Sequence, residues 1–91
     1  MFTFIKLYLD RTVLNESNIN LMITANDLAG LISDLSIDKT DETVLVVFKA
    51  KDASSAITLS ENIINKTELQ INKINYKNFN DSIGVILEFN F

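Results

Sequence analysis

The sequence predicts an α+β fold: a two-layer sandwich with a mixed β-sheet, two helices on one face, and the element order ββαβαββ. Three observations lead there. Phe2–Leu9 and Ile83–Phe91 alternate apolar and polar residues, which is the period of a half-buried strand. Val44-Leu-Val-Val-Phe48 is a continuous β-branched and aromatic run, as in a central strand. Two segments between these strands carry apolar residues at helical spacing. A ferredoxin-like arrangement is the alternative, with the first hairpin reduced to one strand and an irregular arm.

Taken in order, Phe2–Leu9 places Ile5, Leu7 and Leu9 on one face and Phe2, Phe4, Lys6 and Tyr8 on the other. Asp10–Ser17 is a polar connection apart from Val13 and Leu14. Ile19, Leu21 and Ile23 alternate with Asn18, Asn20 and Met22, and this predicts a second strand. Thr24-Ala-Asn-Asp27 has the form of a capping box, with Asp in place of the usual Glu. Leu28, Leu31, Ile32 and Leu35 follow at i, i+3, i+4 and i+7, which predicts a helix ending near Ser36. Asp38–Glu42 is a charged loop.

After the Val44–Phe48 strand, Asp52 is placed to cap a second helix. Ala53, Ala56, Ile57, Ser60, Ile63 and Ile64 share its expected buried face, with Leu59 at the margin. Leu69 and Ile71 alternate with Gln70 and Asn72. The pattern then slips by one residue to Ile74 and Tyr76, which predicts either a bulge near Lys73 or a strand end at Asn72. Lys77–Ser82 is rich in turn formers. Ile83–Phe91 is the last strand.

The 91 residues fit a single α+β domain spanning 1–91. The net charge is −4, and eight basic residues face twelve acidic ones. That balance argues against nucleic acid as a partner: Lys49 and Lys51 flank the end of a strand, Lys66, Lys73 and Lys77 are scattered, and a small basic patch with Tyr76 or Phe79 is the one alternative. Cysteine and histidine are absent. Their absence removes disulfides, thiolate metal sites and the usual nucleophile–base pairs. Asp34, Asp38, Asp41 and Glu42 lie close in sequence but lack the calcium-loop pattern and its glycine turn. No glycine-rich phosphate cradle is present. The expectation is a protein that is not an enzyme, with no cofactor and no metal.

The N-terminal stretch lacks the features of a secretory leader, and no apolar run is long enough to span a membrane. These point to a cytoplasmic, acidic small protein without a membrane partner. Isoleucine, asparagine, lysine and phenylalanine are abundant, and proline is absent. Their codons are AT-rich, which suits a phage or other mobile element of a low-GC host.

The remaining signal is apolar area without an obvious cover. With Ile5, Leu7, Leu9, Val85, Leu87 and Phe89 facing the helices, Phe2, Phe4, Tyr8, Met22, Leu45, Val47 and Ile86 point to the other sheet face. Lys6, Asn18, Asn20, Lys49, Asn72, Glu88 and Asn90 share that face. Phe89 and Phe91 close the terminal strand. These nine apolar residues (Phe2, Phe4, Tyr8, Met22, Leu45, Val47, Ile86, Phe89 and Phe91) are the expected interface. The expected function is a non-enzymatic protein-binding module, for example an accessory or inhibitory protein. The alternative is a structural subunit that self-assembles as a homodimer or larger homo-oligomer. The partner is thus another protein or a second copy.

Overall fold

The computed structural model describes residues 14–67 and 69–90. These form helix α1 (Glu16–Ala25), strands β1 (Ile32–Lys39) and β2 (Thr43–Ala50), helix α2 (Ala53–Lys66), and strands β3 (Gln70–Asn78) and β4 (Ile83–Asn90). The order is αββαββ, not ββαβαββ or its ferredoxin-like variant. The strands make one sheet, in the order β1-β2-β4-β3, and every pairing is antiparallel. The expected mixed sheet is corrected for a simple reason. The α2 crossover does leave β2 and β3 running the same way, but β4 turns back and inserts between them. The expected first strand, Phe2–Leu9, lies outside the described residues.

Two expectations in the first half exchange places. Residues 19–23 are helix, not strand. Asn15 caps α1 by accepting the Asn18 N–H at 2.9 Å. Ile19, Met22 and Ile23 then fall on one helical face and pack into the core. Leu21, which the strand reading needed, is left 67% exposed. Thr24–Asp27 is the end of a helix and not its start. Asp27 takes a left-handed conformation, φ 61°. Its N–H donates to the Thr24 carbonyl, and the Leu28 N–H donates to the Ile23 carbonyl at 2.8 Å. That pair of bonds is a Schellman closure, with Asp standing in for the usual glycine.

Leu28–Leu35 is turn and strand, not helix. Gly30, at φ 82°, completes the turn. β1 then carries a bulge between Ser33 and Ser36, where Asp34 sits at φ 55°. The bulge lengthens the spacing from Ile32 to Leu35 by one residue. Ile32, Leu35 and Ile37 therefore reach the same side of the sheet. A bulged strand has reproduced the spacing of a helix.

The second half follows the sequence more closely. Asp52 caps α2, its Oδ1 accepting the Ser55 N–H at 2.7 Å. The helix buries Ser55, Ala56, Leu59, Ser60 and Ile63. This face is rotated from the expected one: Leu59 is central and Ile57 points outward. The phase slip near Lys73 is a bulge between Ile71 and Lys73. Residues 79–82 turn the chain, with the Phe79 N–H donating to the Ser82 carbonyl. β4 is an interior strand, paired with β2 and β3.

One sheet face joins the helices in the core. Val44, Val46 and Phe48 from β2 meet Val85, Leu87 and Phe89 from β4, with Ile19, Leu59 and Ile63 above them. The strands obey an approximate two-fold about the β2–β4 seam. Val44 pairs with Phe89, and Phe48 pairs with Val85, as a two-fold exchange requires. The bulges match as well. Ser33 to Ser36 advances three residues against two on β2, and Gln70 to Lys73 advances three against two on β4. The described residues thus form two αββ units. The helices break the symmetry: α1 packs on β1 and α2, whereas α2 lies over β4 and β2.

Candidate protein-binding surface

The structure divides the nine expected interface residues into three groups. Leu45, Val47 and Ile86 lie half-buried on the sheet face away from the core. Met22 and Phe89 are 7% and 0% exposed and belong to the core, so neither offers surface to a partner. Met22 is there because its segment is helical, and Phe89 because odd positions of β4 face inward. Phe2, Phe4, Tyr8 and Phe91 lie outside the described residues. Of the polar residues expected alongside, Lys49, Glu88 and Asn90 are on the open face, and Asn72 donates its side-chain N–H to the Glu88 carboxylate across the bulge. Asn18 and Asn20 are on α1, and Lys6 lies outside the described residues.

At one end of the open face Phe79 folds back across Gly84. A side chain at Gly84 would put its Cβ 2.8 Å from the Phe79 ring, so glycine is what lets the ring lie flat there. The Lys49 and Lys77 ammoniums stand 5.0 and 5.5 Å from the ring centroid. Lys49 also approaches Asp34 at 3.5 Å, an exposed pair that contributes little to stability. Val47, Asn75 and Ile86 help line the shallow cavity of about 240 Å³ beside the ring. Lys49 and Lys77, which are far apart in sequence, therefore meet at Phe79. Tyr76 is on the other side of the sheet.

A second apolar exposure lies along β3. Ile57, Ile74 and Tyr76 are 47%, 44% and 47% exposed. Ile74 and Tyr76 pair with Leu87 and Val85, so they share the core face of the sheet. They are uncovered because α2 rests over β4 and β2 and stops short of the sheet edge. Ala53 and Ala56 are too short to fill the step. The result is an apolar groove of about 190 Å³, lined by Ala53, Ala56, Ile57, Tyr76, Asn78 and Ile83. Among the described residues, β3 has no strand on its outer side. On its other face β3 presents Lys73, Asn75 and Lys77, opposite Glu88, Ile86 and Gly84.

The sequence pattern shows the apolar phase of Ile74 and Tyr76, but the spacing of Ile57 points into the core, where the structure does not place it. The available signal was the alternation Lys73-Ile-Asn-Tyr-Lys77, which is apolar on one face and cationic on the other. The groove itself depends on where α2 sits, and no local pattern encodes that.

The charged loop residues do not converge. Asp34 is beside Lys49, Asp38 is on β1, and Asp41 and Glu42 are in the β1–β2 turn. Among the described residues, no three His, Cys, Asp or Glu side chains form a metal-holding group. Hydrogen bonding from Ser55, first from its backbone N–H and then from its hydroxyl, holds the Asp52 carboxyl below its ordinary value of 3.8. That is the signature of a helix cap. No described helix is long and apolar enough to cross a membrane. No protein-family model matches the chain, and a search of curated proteins finds no relative.

Proposed function

We propose that the chain is a non-enzymatic protein-binding module whose working surface is the β3 flank. One observation carries this reading: β3, an edge strand among the described residues, and the neighbouring helix leave Ile57 and Tyr76 exposed in a single groove, with Ile74 exposed on the same sheet face. Apolar surface beside a strand edge that no described strand covers costs solubility, and a partner removes that cost. The chain works in this reading without cofactor, metal, nucleic acid or membrane, in the cytoplasm. An accessory or inhibitory role in a phage or other mobile element suits its abundance of residues with AT-rich codons. The test is a photo-crosslinking residue at position 57 or at Glu61, one turn along α2 and away from the groove, in the producing cell. A discrete adduct from position 57 alone is expected. Equal labelling from both positions, or none from either, would refute the reading.

A second reading is self-assembly through the open sheet face. It is favoured by the way that face sorts its charges: Asp38 lies on β1 at one edge, Lys73 and Lys77 lie on β3 at the other, and Leu45, Val47 and Ile86 run between. Two copies stacked about a two-fold parallel to the strands would set β1 over the partner's β3 and pair opposite charges. Light scattering over a concentration series tests it. A dimer that Val47→Asp dissociates is expected, and a monomer throughout would exclude it.

A further inference from the structure

Resting on the β3-flank reading, we propose that the groove takes an extended peptide segment of a partner by strand addition to β3, and that this segment alternates acidic and apolar residues. Three features of the edge specify such an occupant. First, the outer side of β3 is free among the described residues, so its backbone can continue the sheet. Second, an added strand places every second side chain on the core face, where Tyr76, Ile57 and Ala53 line an apolar groove and Ile74 is exposed on the same face. Third, the intervening side chains of the added strand lie on the opposite face, beside Lys73 and Lys77. Cross-strand neighbours there favour carboxylates.

The same lysines argue against a second copy as the occupant. Antiparallel pairing of β3 with itself, centred on Asn75, would set each Lys73 opposite the other chain's Lys77. Like charges directly opposite are unfavourable, and edge lysines are a recognised guard against self-pairing. The bulge between Ile71 and Lys73 confines regular pairing to residues 73–78. That length suits a short segment and not a long sheet extension.

The test uses the full chain and fluorescein-labelled seven-residue peptides, read by anisotropy. One peptide alternates valine and glutamate, and a second alternates valine and lysine. A third keeps the first composition but groups the glutamates. Two more carry N-methyl groups on alternate amides of the first peptide, in either phase. The alternating acidic peptide is expected to bind at least about tenfold tighter than the lysine and grouped peptides. One phase of N-methylation is expected to abolish binding and the other to leave it, because only alternate amides of an added strand face β3. The double variant Lys73→Glu, Lys77→Glu should transfer the preference to the lysine peptide. Both sites are exposed, so its melting temperature serves as the control for folding.

Equal affinity for the grouped peptide, equal effects of the two methylation phases, or a preference unmoved by charge reversal would each overturn strand addition. Protection, in the free chain, of the alternate β3 amides that point away from β4 would also overturn it. Concentration-dependent protection would assign the edge to a second copy, and concentration-independent protection to the chain itself. Absence of peptide binding together with a discrete adduct from position 57 would sink strand addition and leave the binding module standing. Absence of both would remove both.

Discussion

Leu87 and Ile86 are neighbours in β4, yet they should respond to truncation very differently. Leu87 is fully buried, pairs with Val46 and Ile74, and lies under α2. Leu87→Ala removes about three carbon groups at ~0.8 kcal/mol each. The surrounding Val46, Leu59 and Phe89 cannot fully collapse into the space, which brings the cost to about 3–4 kcal/mol. A domain of this size has roughly 5–10 kcal/mol in total. The melting temperature should therefore fall by roughly 10–25 °C. Ile86 is half-buried on the open face, between Val47 and Asn75. Ile86→Ala leaves no enclosed cavity and should cost about 1 kcal/mol. Urea denaturation followed by circular dichroism measures both, with the slope expected to be unchanged. If Ile86→Ala costs as much as Leu87→Ala, then either the two faces are exchanged or the open face is covered.

Three further outcomes follow from the backbone and the caps. Gly30→Ala should destabilise by about 1–2 kcal/mol through left-handed strain alone, since nothing lies within 4 Å of the added Cβ. An unchanged midpoint in urea would show that the turn is not held at φ 82°. Gly84→Ala should lift Phe79 off the strand and erase the ring-current shifts of the Lys49 and Lys77 side-chain protons; shifts that persist would contradict the stacked geometry. Asp52 has its pKa lowered in the folded state, so its cap is fully effective above its ordinary value of 3.8 and fades as pH falls through the lower folded value. Asp52→Asn, which keeps the acceptor but removes the charge, should flatten that acidic limb of the stability profile. An identical acid limb in both proteins would remove Asp52 as its source.

What the sequence revealed depended on whether one period could masquerade as another. The Val44–Phe48 run had only one reading, and Asp52 followed by small and apolar residues had only one. The slip at Lys73 interrupts an otherwise regular alternation, which leaves a bulge and a strand end at Asn72 as the two readings, and the register of β3 against β4 selects the bulge. In residues 19–23 and 28–35 the apolar spacing points to the wrong element, for related reasons. Five residues with apolar positions at 19, 21, 22 and 23 satisfy both a strand and a helix. A bulge at Asp34 gave Ile32 and Leu35 the spacing of a helical turn. Asp27 in a left-handed conformation closed a helix where its residue type suggested an opening. The open-face residues Leu45, Val47 and Ile86 were legible from strand parity alone. The groove beside β3 was not, because it arises from the position of α2 across the sheet. The exposure of Ile57 follows from the rotation of that helix about its axis, and its apolar spacing does not fix that rotation.

The most direct measurement is residue-resolved amide hydrogen exchange of the full chain, with and without the alternating valine–glutamate peptide. In the free chain, alternate amides along residues 73–78 should exchange fast while those of β4 stay protected. Saturation with the peptide should slow those alternate β3 amides and leave β1 unchanged. Slowed exchange in β1, or a bound peptide with no change in β3, would contradict β3 as the binding edge.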